Sequence, residues 1–200
     1  MTDLHAWVGT TYDRLADLLD AGPAEAWDAP SLCEGWQVRN VVAHVTMPAR
    51  LTPERFGAEM AAAGGDFNVL SNKVADRDGK LPAAELSADL RAPTLHAWEP
   101  PGGGAPGALN HAVIHSLDVT VALGVPPVAP PEAVLTVLGQ LAEANGALFG
   151  VDLTGMRLEA EDADWSWGTG QVVRAGAGQL VALASGRRLP DGRALRRSHQ

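Results

Sequence analysis

Apolar residues recur along the first half of the chain at the three-to-four-residue spacing of helices that bury one face. Leu4, Trp7, Val8, Leu15, Leu18 and Leu19 form such a stripe, with Thr2 as the expected N-cap and Gly22-Pro23 as its end. After the turn-rich 28-DAPSLCEGW-36, a second helix is predicted from about Trp36, carrying Val41, Val42 and Val45 inward with His44 beside them. Pro48 should bend or end it. Residues 52–62 fit a third helix, with Pro53 in the first turn and Gly64-Gly65 beyond the last. The period through Phe67, Leu70 and Val74 is weaker, and the stretch 66–80 is expected to be mobile. Helical spacing resumes over 82–98 through Leu86, Leu90 and Leu95, with a kink or early stop at Pro93.

The run 100-PPGGGAPG-107 reads as a loop, and a helix is predicted to emerge from it over about 106–123, closed by Gly124 and Pro126. A further helix over 131–149 shows its apolar face in Val134, Leu135, Leu138, Leu141 and Phe149. The period then changes. Segment 156-MRLEAED-162 alternates apolar and charged residues, and 165-WSWGTGQVVRA-175 has the composition of a hairpin. A short helix over 176–186, with Leu180 and Leu183 inward, follows. No internal repeat is visible. The pattern predicts a mainly α protein: a helical bundle over 1–150 and a small C-terminal α+β region over 151–200.

Composition narrows the classes. Two hundred residues suffice for one domain with a small appendage, and 46% hydrophobic with 20% charged residues is ordinary for a soluble globular chain. The apolar runs are too short to span a bilayer. A net charge of -9 argues against a nucleic-acid footprint. Arg187, Arg188, Arg193, Arg196 and Arg197 do crowd the C-terminal end, where the simplest reading is a solvated tail. Met1-Thr2-Asp3 does not open like a secretory signal, and the single cysteine, Cys33, suits a reducing compartment. The expectation is a cytoplasmic monomer or homodimer.

The chemistry-bearing stretch is 109-LNHAVIHSLDV-119. On a helix, His111, His115 and Asp118 share one face, and two imidazoles four residues apart can converge on one ion. A catalytic metal site usually takes three protein ligands. His44 is the leading third ligand because it too lies at the apolar margin of a helix; His96 competes, whereas His5 and His199 lie near the termini. Asp118 is better placed to orient His115 than to bind directly.

The segments 31-SLCEGWQVRNVVAHV-45, 111-HAVIHSLDVTVALG-124 and 157-RLEAEDADWSWGTGQVVRAGAGQLVALASGR-187 resemble the mycothiol-dependent maleylpyruvate isomerase family, within the DinB-like metal-binding proteins. The resemblance spans nearly the whole chain. It implies a DinB-like up-down four-helix bundle and a divalent metal held by His44, His111 and His115, with zinc foremost and nickel or iron as alternatives. Many isomerases of this family carry glutamate where this sequence has His111, and three neutral imidazoles resemble the thiol transferases of the wider superfamily. The implied function is an enzyme that uses a low-molecular-weight thiol, mycothiol or a similar one, on a small electrophile. Thiol transfer and maleylpyruvate-type cis-trans isomerisation are both open. The alternative is a non-catalytic metal-site protein that sequesters a small molecule or an ion.

Four further residues carry expectations. Arg187 is the candidate binder of a substrate anion, with helix capping or solvent exposure as the plainer role. Cys33 reads as a small, partly buried hydrophobe rather than a nucleophile. Trp36 is expected to pack at the bundle end. Trp165 and Trp167, two apart on a strand, should share a face at the rim of the core.

Overall fold

The computed structural model describes residues 3–197. Helix α1 (Leu4–Ala21) is capped by Asp3, whose carboxylate accepts from the backbone N–H groups of His5 and Ala6. The expected cap, Thr2, lies outside the described residues, as does His199. A 3-10 turn (Ala24–Asp28) leads to α2 (Val38–Val45), which starts at a reciprocal cap between Gln37 and Asn40. Helix α2 stops at Thr46, and Pro48 sits in the first turn of the short α3 (Met47–Arg50), where its missing N–H costs nothing. Then come α4 (Pro53–Ala62) and α5 (Phe67–Asp78). The helix predicted over 82–98 is two, α6 (Ala83–Leu90) and α7 (Pro93–His96), because Pro93 cannot continue the ladder.

Helix α8 (Gly104–Thr120) begins inside the glycine run. It buries residues all round, including Leu109, Val113, Ile114, Leu117 and Val119, as a central helix must. Helices α1, α2, α6 and α8 form a ring in which each packs against two others. This is the mainly helical bundle the sequence implied. Helix α5 leans on α2 from outside the ring, and α9 (Pro131–Glu143) lies on α8. The helix predicted to reach 149 stops at Glu143; Gly146 then reverses the chain and a 3-10 turn covers Ala147–Phe149.

The C-terminal sheet corrects the predicted hairpin over 165–175. Strands β1 (Met156–Ala160), β2 (Ser166–Gly168) and β3 (Gln171–Ala175) lie in the order β2-β1-β3. The antiparallel hairpin is β1 with β2, while β3 runs parallel to β1 on its other edge. The chain crosses from one edge to the other through Gly168 and Gly170, both at positive φ. A side chain there would strike the backbone of Met156 or Gly155, so the crossing requires glycine. Trp165 and Trp167 pack at the rim of the core as expected. Helix α10 (Ala177–Ala184) packs on α8, α9 and the sheet. One continuous apolar core runs from Val8 through Leu117 to Leu158 and Leu180, on both sides of residue 150. No helix among the described residues is long and apolar enough to cross a membrane.

Candidate functional site

His44, on the last turn of α2, meets His111 and His115 on α8. One ring nitrogen from each lies within 4.8 Å of the others. The Nε2 atoms of His44 and His111 are 3.3 Å apart. Every imidazole has its Nδ1 occupied by an oxygen: His44 with Ser71 Oγ at 2.9 Å, His111 with Tyr12 Oη at 3.0 Å, and His115 with Asp118 Oδ2 at 2.9 Å. Those contacts fix ring orientation and leave the other nitrogen of each ring for the interior of the cluster.

The electrostatics keep two of these rings neutral. Burial, reinforced by His115, lowers the pKa of His44 to about 3. Burial and the neighbouring rings likewise push His111 well below its ordinary value. Both therefore present lone pairs at neutral pH. In a tetrahedral zinc centre with Zn–N arms of about 2.0–2.1 Å, two ligand nitrogens stand roughly 3.3 Å apart. The observed His44–His111 separation matches that edge, and the donor set suits a borderline divalent ion, so the residues fit the metal implied by resemblance.

Asp118 lies behind His115, and its side chain is almost wholly buried. Oδ2 accepts from His115 Nδ1, from Arg187 Nη2 at 3.0 Å and from Cys33 Sγ at 3.1 Å, while Oδ1 accepts from Arg187 Nε at 2.9 Å. Burial alone would raise its pKa, but the His115 hydrogen bond and the Arg187 charge outweigh burial and hold it below the usual carboxylate range. Arg187 arrives by way of a Schellman turn: Gly186, at positive φ, bonds back to Leu183, and Arg187 N–H bonds to Ala182 O. Its Nη1 also donates to Ser185 O, so it caps α10 while pairing with Asp118. This corrects the reading of the basic C-terminal run as wholly solvated, since the Arg187 side chain is only 14% exposed. Burial, then the Asp118 carboxylate, push the Cys33 thiol up, in keeping with its reading as a non-nucleophile.

A cavity of about 1000 Å³ opens beside this pair, lined by Cys33, Phe149, Arg187, Arg188 and Arg197 among others. His96 is not part of the cluster. Its Nε2 donates to Leu90 O at 2.8 Å, and its ring lies against Tyr12. His5 pairs with Glu99 on the surface. Sequence reasoning missed Tyr12 and Ser71, whose hydroxyls orient His111 and His44, and Trp98, whose ring meets His111 edge-on at 5.3 Å.

Fold and site together define a class: a helical bundle that gathers three histidines from two of its helices, backed by a small mixed sheet whose following helix sends an arginine to the same centre. The family model for the mycothiol maleylpyruvate isomerase N-terminal domain matches residues 8–120, more than half of the chain, and the chain belongs to that family. A solved structure of a histidine-to-alanine mutant of the mycothiol-dependent maleylpyruvate isomerase is similar over 98% of this chain and 94% of that one, at 18% identity and a TM-score of 0.52. At that identity the likeness shows a shared fold. A second solved structure, of the mycothiol-dependent maleylpyruvate isomerase, covers the same shares at 16% identity and a TM-score of 0.45. No curated protein matches the chain.

Proposed function

We propose that this protein is a metal-dependent enzyme that applies a low-molecular-weight thiol, mycothiol or a close analogue, to a small electrophile in the cytoplasm. The observation that carries the reading is the convergence of three imidazoles whose outward nitrogens are all held by oxygen. His44, His111 and His115 would hold the ion. A divalent cation there, zinc foremost, lowers the pKa of a bound thiol so that thiolate is available at neutral pH. Three neutral ligands leave its charge uncancelled, which favours that role.

The protein's own groups do the rest. Ser71, Tyr12 and Asp118 keep the three rings in register. Arg187 neutralises Asp118 and so preserves the acceptor that orients His115. Two of its three guanidinium nitrogens face Asp118, yet it also lines the 1000 Å³ cavity, where an anionic or strongly polar part of a reactant can bind. The thiolate forms a C–S bond at the β-carbon of an activated double bond, and the π pair moves to the activating group. If that group takes a proton and the adduct leaves, the reaction is thiol transfer. If the former double bond rotates and thiolate is expelled, the reaction is cis-trans isomerisation, the activity named for the solved relatives.

The test begins with metal content of protein purified without an affinity tag. Cobalt-substituted protein is then titrated with a small thiol while the thiolate-to-metal absorption is followed. The reading requires about one ion per chain and a thiol-dependent band. Metal without the band would leave the sequestering role, and no metal would reduce the cluster to a structural element. Mass analysis of products from a cis enone separates transfer, heavier by one thiol, from isomerisation, unchanged in mass.

A further inference from the structure

We infer that Arg50 is a positioning residue for the metal centre: it ties together the two helices that set the place and the tilt of His44. The inference rests on the metal-dependent reading proposed above. Arg50 is the last residue of α3, and its side chain is only 14% exposed. Its guanidinium reaches three helices. Nη2 donates to Ala43 O, a last-turn carbonyl of α2 and the chain neighbour of His44, while Nη1 donates to the hydroxyl of Thr46, the C-cap of α2. Nε donates to Asp78 Oδ2 of α5 at 3.2 Å, and Nη1 also donates to Asp89 Oδ2 of α6 at 2.9 Å. The final carbonyls of a helix lack partners within it, so one planar fork both closes the end of α2 and clamps two neighbours to it.

Helix α5 depends on such a clamp. Ser71, whose hydroxyl meets His44 Nδ1, and Asp78 are two helical turns apart, so they share one face of α5, with Val74 and Ala75 buried between them. The apolar hold on this helix is small, because Leu70 and Val74 join Met47, Leu51 and Ala63 in a cluster separate from the main core. Apolar contact is also non-directional, whereas hydrogen bonds fix register. Besides the Ser71 contact, α5 is tied to the α2–α3 stretch by Asn40 Nδ2 donating to Ala75 O at 3.0 Å, by Arg39 Nη1 donating to Gly79 O at 3.0 Å, and by the Arg50–Asp78 pair. Of these three, the Arg50 side chain alone also holds the carbonyl beside His44. A slip of α5 would carry Ser71 off the imidazole, and a frayed α2 end would move the imidazole itself. Arg50 opposes both.

The charges around Arg50 close on themselves. Asp78 also pairs with Arg77, Arg77 pairs with Glu59, and Glu59 is shared with Lys73. The cations Arg50, Lys73 and Arg77 thus face the carboxylates Asp78, Asp89 and Glu59 one for one. Such a balanced network leaves no spare charge for a ligand and adds little net field at a divalent ion held by the histidines. Its influence on the ion is geometric.

The test compares Arg50→Lys, which keeps the charge but loses the fork, with the milder Asp78→Asn, which leaves Arg50 paired with Asp89 and cuts its tie to α5. Zinc affinity is measured by competition with a chelating dye. Arg50→Lys should weaken it roughly three- to tenfold, and Asp78→Asn about two- to threefold, one step below the cost of removing an oxygen that touches a ligand ring. With Ser71→Ala added to Arg50→Lys, the loss should fall short of the product of the single losses, because both act on His44. Leu158→Ala, in the buried face of β1, lowers stability away from His44 and should leave zinc affinity unchanged. A second readout uses metal-free protein: the ring nitrogen chemical shifts of His44 should move towards those of a free imidazole in Arg50→Lys, while those of His111 and His115 stay in place. Should Arg50→Lys fail to fold, Asp78→Asn carries both measurements. Unchanged zinc affinity and unchanged His44 shifts in the folded variants would overturn the inference, as would an equal zinc loss in Leu158→Ala. If the wild type binds no zinc, the metal-dependent reading fails, and the His44 shifts alone decide whether Arg50 positions that ring.

Discussion

Acidifying the metal-stripped protein should destabilise it before its carboxylates titrate, and the effect can be sized from two side chains. His44 is 5% exposed, with its pKa lowered from 6.5 to about 3, and His111 is shifted in the same direction by burial. An unfolded chain protonates both near their ordinary value, so between the two pKa values it binds more protons than the native state. Stability is then fully present above about pH 6.5 and falls as the pH drops towards the folded values. Each histidine contributes a slope approaching about 1.4 kcal/mol per pH unit, so the pair should remove roughly 3 kcal/mol between about pH 6.5 and pH 5. The assay is urea unfolding of chelator-treated protein at half-unit pH steps, followed by tryptophan fluorescence. His44→Gln should show about half the slope. A midpoint that stays flat over this window would show that the two rings are not held neutral by burial, and the electrostatic account of the cluster would go with it.

Other perturbations address single contacts. His44→Ala, His111→Ala and His115→Ala should each lose most bound metal at unchanged helical content; full stoichiometry in any one by elemental analysis would remove that residue from the ligand set. Asp118→Asn should weaken metal affinity roughly 10–100-fold by competition with a chelating dye, and an unchanged affinity would deny it a role in orienting His115. Arg187→Met strands a buried carboxylate and should cost about 3–5 kcal/mol in unfolding free energy, largely relieved by adding Asp118→Asn; a cost below about 1 kcal/mol would mean the pair is solvent-screened. His111→Glu should keep the metal yet slow thiol addition to a generic electrophile, because a carboxylate ligand cancels part of the ion's charge. A faster variant would contradict that sign.

The sequence exposed those parts of the site that local spacing governs. His111, His115 and Asp118 share a face because of helical geometry alone, and His44 stands out as a polar residue on an otherwise apolar helix margin. Tyr12 and Ser71 gave no such signal. Each looks like an ordinary helix residue, and their role arises only when α1 and α5 pack beside histidines 99 and 27 positions away. The weak period of 66–80 suggested mobility, yet the segment is a 12-residue helix, because Leu70 and Val74 are buried and Asp66 caps its start. The sheet order was hidden for a related reason. Alternation identifies strands, but which edge of β1 receives β3 depends on a glycine crossing that only tertiary contact explains.

The joint between Asp118 and Arg187 also imposes an order on biogenesis. A ribosome finishes all three histidines by position 115, but the guanidinium that offsets the adjoining buried acid is added 69 residues after that acid. Until α10 and its Schellman turn fold, the nascent bundle carries a carboxylate with no cation to accompany it inside, and water must stay there to solvate it. The acid is therefore offset only from the C-terminal side, and a chain truncated ahead of Arg187 would carry His44, His111 and His115 but leave Asp118 without its guanidinium partner.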